Sequence, residues 1–253
     1  MLERKKNIWI HGLSGRMGQE IFLAVKKDSS YTFLGGSSRS KDLSVDKLNN
    51  CDLIFDFTNL EGNLFLLETL KLKMKASPKV LIGTTGLTTS LINGWRELQK
   101  ERLESKIFLA PNTSVGILLL LKSSLMIHPV LANLGFDLEI EETHHRKKSD
   151  SPSGTASYLA KKLAEKNADT IVKNRETGRT PGEIGVHSIR GGNIPGEHRL
   201  RFLGANEELT LTHRSYSRSL FASGALKLGH WLLKKEPGYY TLDDVNPMEI
   251  VSS

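Results

Sequence analysis

Residues 141–156 read EETHHRKKSDSPSGTA, which sets His144, His145 and the cations Arg146, Lys147 and Lys148 directly before a Pro-Ser-Gly-Thr turn. Three chemistries compete for such a segment: a metal site, a polyanion patch, and a pocket for a small anion. Adjacent histidines on an extended strand point to opposite faces, so His144 and His145 do not readily share one metal, and no cysteine pair or H-x-x-x-H follows. Ser153 lacks the strand-to-helix elbow of a nucleophilic serine. The turn Ser151 to Thr155 immediately precedes a helical pattern, so the N–H groups of Gly154 and Thr155 fall among the unpaired donors of a helix start. With Lys148 and His145 nearby, a carboxylate would find backbone and cationic partners together. The competing reading is that Ser153 only caps the helix while Arg146 to Lys148 form a solvated face.

A second cluster is His11-Gly-Leu-Ser-Gly-Arg-Met-Gly18, lying after an apolar strand and before a helix. Gly12 permits a tight turn, Gly15 and Gly18 permit close approach, and helix-start N–H groups meet a pyrophosphate there. Ser14 replaces the middle glycine of G-x-G-x-x-G, so an ordinary glycine turn is the alternative. Two more strand ends carry Gly83-Thr84-Thr85-Gly86 and Ala110-Pro111-Asn112-Thr113, small hydrogen-bonding residues suited to a nicotinamide riboside.

These residues need a scaffold that brings strand ends together. The first half alternates: strands at 7–10, 31–35, 52–57, 79–82 and 107–110, with helices at 19–27, 63–74 and 91–103 between them. That order predicts right-handed crossovers and a parallel sheet covered on both faces. After Pro111 the pattern becomes a long helix (115–134), an extended run (136–145), a helix (156–166), strands at 184–190, 198–202 and 209–213, and a last helix at 219–233. Residues 167–183 are polar and punctuated by Gly and Pro, which predicts a mobile loop. The fold class expected is α/β: a Rossmann-like parallel-sheet dinucleotide-binding domain, plus an α+β second domain with an open mixed sheet.

Composition bounds the rest. The 253 residues suffice for two modest cores, and the single Cys51 excludes an intramolecular disulfide framework and a Cys-rich zinc module. The net charge of +7 comes from 35 basic and 28 acidic residues spread along the chain, with no aromatics interleaved in the basic run. Small anions account for the surplus as well as nucleic acid does, and no nucleic-acid partner is expected. The longest apolar stretch, Gly116 to Leu121, stops at Lys122. No membrane span is expected, and the reading is a cytoplasmic protein.

The block E-x-H-H-R-x-K-x-D-x-P-S-G-T-A resembles the signature of the 4-hydroxy-tetrahydrodipicolinate reductase (dihydrodipicolinate reductase) family of the diaminopimelate route to lysine. The resemblance runs through G-x-x-G-R-M-G at Gly12 to Gly18, D-F-T at Asp56 to Thr58, and G-T-T-G at Gly83 to Gly86. It continues through Asn112-x-Ser-x-Gly116, Arg190-Gly-Gly-x-x-x-Gly196-x-His198 and Ser217-Arg-x-x-Phe-Ala222.

The resemblance implies NADH or NADPH as cofactor, a cyclic dicarboxylate substrate and a homotetramer. It implies a dinucleotide domain over residues 1–112 and 222–253 and a substrate and tetramerisation domain over 113–221. By motif, Gly12, Leu13, Ser14, Gly15, Arg16 and Met17 hold the pyrophosphate and adenosine side; Gly83, Thr84, Thr85, Ala110, Pro111, Asn112 and Thr113 line the nicotinamide side. His144 corresponds to an acid/base histidine and Lys148 to a proton donor, with His145, Gly154 and Thr155 as substrate-carboxylate ligands. No metal is implied. Where family members often carry an acidic residue and an arginine for the adenosine ribose, this chain has Ser38 and Arg39, and Asn59-Leu60 follows D-F-T. Serine there removes repulsion of a 2′-phosphate, so NADPH is expected to be favoured.

Overall fold

The computed structural model describes residues 4–38, 43–175 and 177–251. In chain order the elements are β1 (Lys6–His11), α1 (Arg16–Lys27), β2 (Tyr31–Ser37), α2 (Val45–Asn49), β3 (Leu53–Asp56), α3 (Leu60–Lys73) and β4 (Lys79–Ile82). Then come α4 (Thr89–Glu101), β5 (Lys106–Leu109), α5 (Val115–Asn133), β6 (Asp137–His144), α6 (Gly154–Asn167) and β7 (Thr170–Lys173). The chain continues with β8 (Glu183–Arg190), β9 (Gly196–Leu203), β10 (Glu208–Ser215), α7 (Ser219–Lys234), β11 (Gly238–Thr241) and α8 (Pro247–Val251). Two compact units result, one from Met1–Val115 with Arg218–Ser253, the other from Gly116–Ser217.

The first unit is a six-stranded sheet in the order β11-β5-β4-β3-β1-β2, parallel throughout. Its helices read directly from sequence spacing. Leu91, Trp95 and Leu98 of α4 recur at i, i+4 and i+7 and are buried, and the Thr88 side chain caps the Leu91 N–H. With Leu66, Leu67 and Leu70 of α3 they cover one sheet face, while α1 packs with α7. The order reverses direction between β1 and β3, the switch point outside which open α/β sheets bind ligands.

The second unit is a five-stranded sheet, β10-β9-β6-β8-β7, in which β6, β8 and β7 run parallel and β9 is antiparallel to both of its neighbours, β6 and β10. β6 alternates half-buried and buried positions along its whole length, so one face meets the core and the other does not. Leu138, Ile140, Ile184, Val186, Leu200 and Phe202 pack beneath Ile117 and Leu121 of α5 and Leu159 and Leu163 of α6. Among the described residues α5 is the one helix whose length and hydropathy would suffice to cross a membrane. It continues through Lys122 and Pro129, and its buried stripe is part of this core.

Two expectations need correction. Residues 167–183 are not a plain loop: Thr170-Ile-Val-Lys173 adds a strand parallel to β8, and Arg175 and Arg179 tie the following turn to Glu183 and Glu139. β11 was not foreseen either; it extends the first sheet beside β5.

Candidate functional site

In the first unit the strand register sets His11, Asp56, Ile82 and Leu109 in one row across β1, β3, β4 and β5. The glycine loop, Phe57–Asn59, Gly83–Gly86 and Ala110–Thr113 therefore leave the sheet from the same edge. Gly12 has φ +93°, and a Cβ there would stand 2.5 Å from the Phe57 carbonyl oxygen; only glycine fits. A Cβ at Gly18 would fall 2.1 Å from the Gly12 carbonyl oxygen, which seats α1 against the loop. The Gly12 and Leu13 N–H groups donate to Ser37 O at 2.8 and 3.0 Å, and Gly15 N–H to Gly12 O at 2.9 Å. The N-cap of α1 is Gly15, which has no side chain to offer, so among the described residues the N–H groups of Arg16, Met17 and Gly18 keep the unpaired character of a first turn. A cavity of about 480 Å³ opens here, with Gly12, Ser14, Gly15 and Ser38 on one side and Thr58, Asn59 and Glu61 on the other. Arg39 lies outside the described residues.

Beneath this edge is a buried polar chain. Asp56, 0% exposed, accepts from Thr58 Oγ1 (2.6 Å), Asn63 Nδ2 (2.6 Å) and Thr84 Oγ1 (2.8 Å). Asn63 Oδ1 in turn accepts from Trp95 Nε1 at 2.8 Å. Thr84 thus spends its hydroxyl inside the protein, tying its loop to that of Thr58, while Thr85 is exposed. A Cβ at Gly83 would meet the Phe57 ring at 2.2 Å, so these loops are also in steric register. Ala110 is buried, Pro111 half-buried, and Asn112 Oδ1 accepts from Ser114 N–H at 2.9 Å. The Thr113 hydroxyl donates to Phe221 O at 2.7 Å, which anchors the last loop to α7.

The second unit gathers the other candidates at the end of β6. His144 closes the strand on its buried face, 8% exposed; His145 begins the following turn and is half-buried. Two residues earlier, on the same face, the fully buried Glu142 carboxylate meets His144 Nδ1. The same carboxylate takes Arg190 Nη1 at 3.0 Å, Arg190 Nη2 at 2.6 Å and the Ser153 N–H at 3.0 Å. Burial opposes ionisation of Glu142, but donors from His144, Arg190 and the Ser153 N–H outweigh it and hold the carboxyl well below its usual range. His198 lies edge-on to His144 with ring centroids 5.3 Å apart and touches Ser153 Oγ at 3.3 Å. Burial, then the neighbouring His144, pushes its pKa down to about 3, so it presents a neutral ring. The loop after β6 is held to the β8–β9 turn, with Gly191 N–H on His144 O at 3.0 Å and Arg146 N–H on Gly192 O at 3.3 Å.

The helix start differs from expectation. Gly154 N–H is not left open: it donates to Asp150 Oδ2 at 3.2 Å, while Asp150 Oδ1 pairs with Lys148 Nζ at 2.7 Å. Ser153 does cap α6, accepting from Ala156 N–H at 3.1 Å, and Arg146 and Lys147 are exposed, so part of the plainer reading also holds. Sequence reasoning assigned no role to Glu142, Arg190 or Asp150. Period-two alternation puts Glu142 beside His144, and that signal was present in the sequence.

The site residues therefore form two groups, one in each unit: a glycine-lined cleft at a strand switch point, and a histidine–lysine cluster at a helix start. Both halves of the chain match one family of known proteins. Residues 6–113 match the family described as dihydrodipicolinate reductase, N-terminus, and residues 116–245 match dihydrodipicolinate reductase, C-terminus. The 4-hydroxy-tetrahydrodipicolinate reductase of Campylobacter lari is 39% identical over 250 residues, covering 94% of this chain and 98% of that one. That of Aquifex aeolicus is 35% identical over 260 residues, covering 92% and 96%. Among solved structures, a dipicolinate-bound dihydrodipicolinate reductase from Paenisporosarcina sp. TG-14 superposes with a TM-score of 0.74 at 24% identity, covering 96% of this chain and 100% of that one, a likeness of fold. Matched in both of its units and along nearly its whole length, the chain belongs to the dihydrodipicolinate reductase family.

Proposed function

We propose that this chain reduces 4-hydroxy-tetrahydrodipicolinate to tetrahydrodipicolinate with NAD(P)H and loss of water, in lysine biosynthesis by the diaminopimelate route. The observation that carries the reading is the meeting of His144, Lys148 and the α6 start at one end of β6, in a chain of this family. An acid/base imidazole and an ammonium group, beside a helix start whose Gly154 N–H already holds the Asp150 carboxylate, suit a cyclic dicarboxylate imine.

The residues present fit a dinucleotide. A Cβ at Gly12 or Gly18 would strike backbone, and the uncapped first turn of α1 faces the glycine-lined cavity. Gly12 to Met17 would hold the pyrophosphate, Ser38 and Arg39 the adenosine ribose, and the Gly83–Thr85 and Ala110–Thr113 loops the nicotinamide. Ser38 lines the cavity without a negative charge, which favours NADPH. When bound, the nicotinamide supplies a hydride to the conjugated imine left by loss of the 4-hydroxyl. The chain's own work is to seat the ring by its carboxylates at His145, Gly154 and Thr155 and to deliver the C3 proton from the His144–Lys148 pair. A cationic Lys148 beside the ring also stabilises charge as it develops. We further propose residues 1–112 with 222–253 as the dinucleotide domain, 113–221 as the substrate and assembly domain, and a cytoplasmic homotetramer.

A coupled assay tests this: aspartate semialdehyde, pyruvate and the preceding synthase, with NADPH oxidation followed at 340 nm as about the usual reduced-nicotinamide band. Oxidation that requires the synthase product, and competition by pyridine-2,6-dicarboxylate, are the expected results. Oxidation without that product, or none with it, overturns the proposal.

A further inference from the structure

We propose that Glu142 is a positioning residue, which holds His144 with its proton on Nδ1 and leaves Nε2 as the nitrogen that exchanges protons with the substrate. The inference rests on the acid/base reading of His144. Glu142 is 0% exposed and both its oxygens are fully engaged. Oε1 accepts from Arg190 Nη2 at 2.6 Å and from the Ser153 N–H at 3.0 Å; Oε2 accepts from Arg190 Nη1 at 3.0 Å and meets His144 Nδ1. The two-pronged guanidinium and a backbone N–H fix the carboxylate plane, so it cannot turn away from the ring. An ionised carboxylate only accepts, so the ring nitrogen facing it carries the hydrogen.

The opposite nitrogen has been given room. A Cβ on Gly196 would lie 3.0 Å from His144 Nε2, so any larger residue there would crowd the reactive edge. On its flank stands the neutral His198 ring, which neither donates charge to nor competes for the Glu142 carboxylate. Glu142 and His144 are two residues apart on one strand face, and Arg190 enters from the adjacent β8, where it is the register partner of His144. Neighbouring strands thus assemble an imidazole with one committed and one working nitrogen.

The test combines kinetics and nitrogen-15 NMR of the full chain. Glu142→Gln should lower kcat about tenfold to a hundredfold, with KM and NADPH affinity held within about twofold, because an amide can present N–H and release the tautomer. In a His144→Gln background, adding Glu142→Gln should cost less than about threefold, since its effect passes through the ring. In the wild-type chain the neutral His144 should show a protonated Nδ1 and a bare Nε2, a measurement that stands even if Glu142→Gln does not fold. A bare Nδ1 in the wild type overturns the inference, as does an undiminished cost of Glu142→Gln in the His144→Gln background. Near-normal turnover of His144→Gln alone would instead remove the acid/base reading of His144, and the inference with it.

Discussion

Asp150 holds Lys148 and the Gly154 N–H, two of the groups near which a substrate carboxylate is expected, and removing its charge should therefore tighten dicarboxylate binding. Its Oδ1 lies 2.7 Å from Lys148 Nζ and its Oδ2 3.2 Å from Gly154 N–H. Burial opposes its ionisation, but the Lys148 and Gly154 donors outweigh this and lower its pKa, so it is a carboxylate at neutral pH. The perturbation is Asp150→Asn, which keeps an oxygen for Gly154 and loses the charge facing Lys148. The size follows from exposure: the Asp150 side chain is 50% exposed and that of Lys148 23%, so solvent screens the pair heavily. Pairs of this kind contribute about 0.2–1 kcal/mol, or about 1.4- to 5-fold in affinity. The assay is calorimetric titration with pyridine-2,6-dicarboxylate at two ionic strengths. Kd should fall within that range in the variant, and the gap between variant and wild type should narrow as salt rises. Weaker binding in the variant would refute the reasoning, because it would mean that Asp150 holds Lys148 in place for the ligand.

Further outcomes follow from the proposed function. Lys148→Ala should lower kcat about a hundredfold or more without abolishing NADPH binding, whereas Thr155→Val should chiefly raise KM; steady-state kinetics with a cofactor titration separates the two. Arg39→Ala should weaken NADPH about tenfold to a hundredfold and NADH far less, as a lost charge-assisted phosphate contact; equal losses would show that Arg39 does not read the phosphate. Glu142 has a depressed pKa in the folded chain. Its stabilisation is therefore complete above the unfolded value of about 4.3 and lost as pH falls toward the folded value. Urea unfolding between pH 3 and 7 should show a shallower acid limb in Glu142→Gln.

The alternating half of the fold was legible because each strand is a short apolar run and each helix shows its buried stripe, as at Leu91, Trp95 and Leu98. β11 was not: Gly238-Tyr-Tyr-Thr241 is four residues long, all half-buried, and owes its strand character to β5 far earlier in the chain. Thr170-Ile-Val172 carried a β-branched signal, but the Gly and Pro residues around it favoured a loop. At the site, His144 and Lys148 stood out through the resemblance of their block to the family signature. That the Gly154 N–H is held by Asp150 was not legible, because spacing alone does not say which way a side chain four residues upstream turns. The bond of the Thr84 hydroxyl to the buried Asp56 was likewise not readable from the G-T-T-G spacing.

The late arrival of β11 has a consequence for synthesis on the ribosome. The open edge of β5 ends at Leu109, whose partner is Thr241, so the chain must grow from Leu109 to Thr241 before the edge is covered. At about 5–20 residues per second this is a delay on the order of 10 s. The continuous unit Gly116–Ser217 emerges whole within that interval, whereas the unit that begins the chain is completed last. An unpaired parallel edge is adhesive while it waits. The nascent chain should therefore be most open to aggregation, and most in need of a chaperone, after the second unit has emerged and before α7 and β11 have arrived.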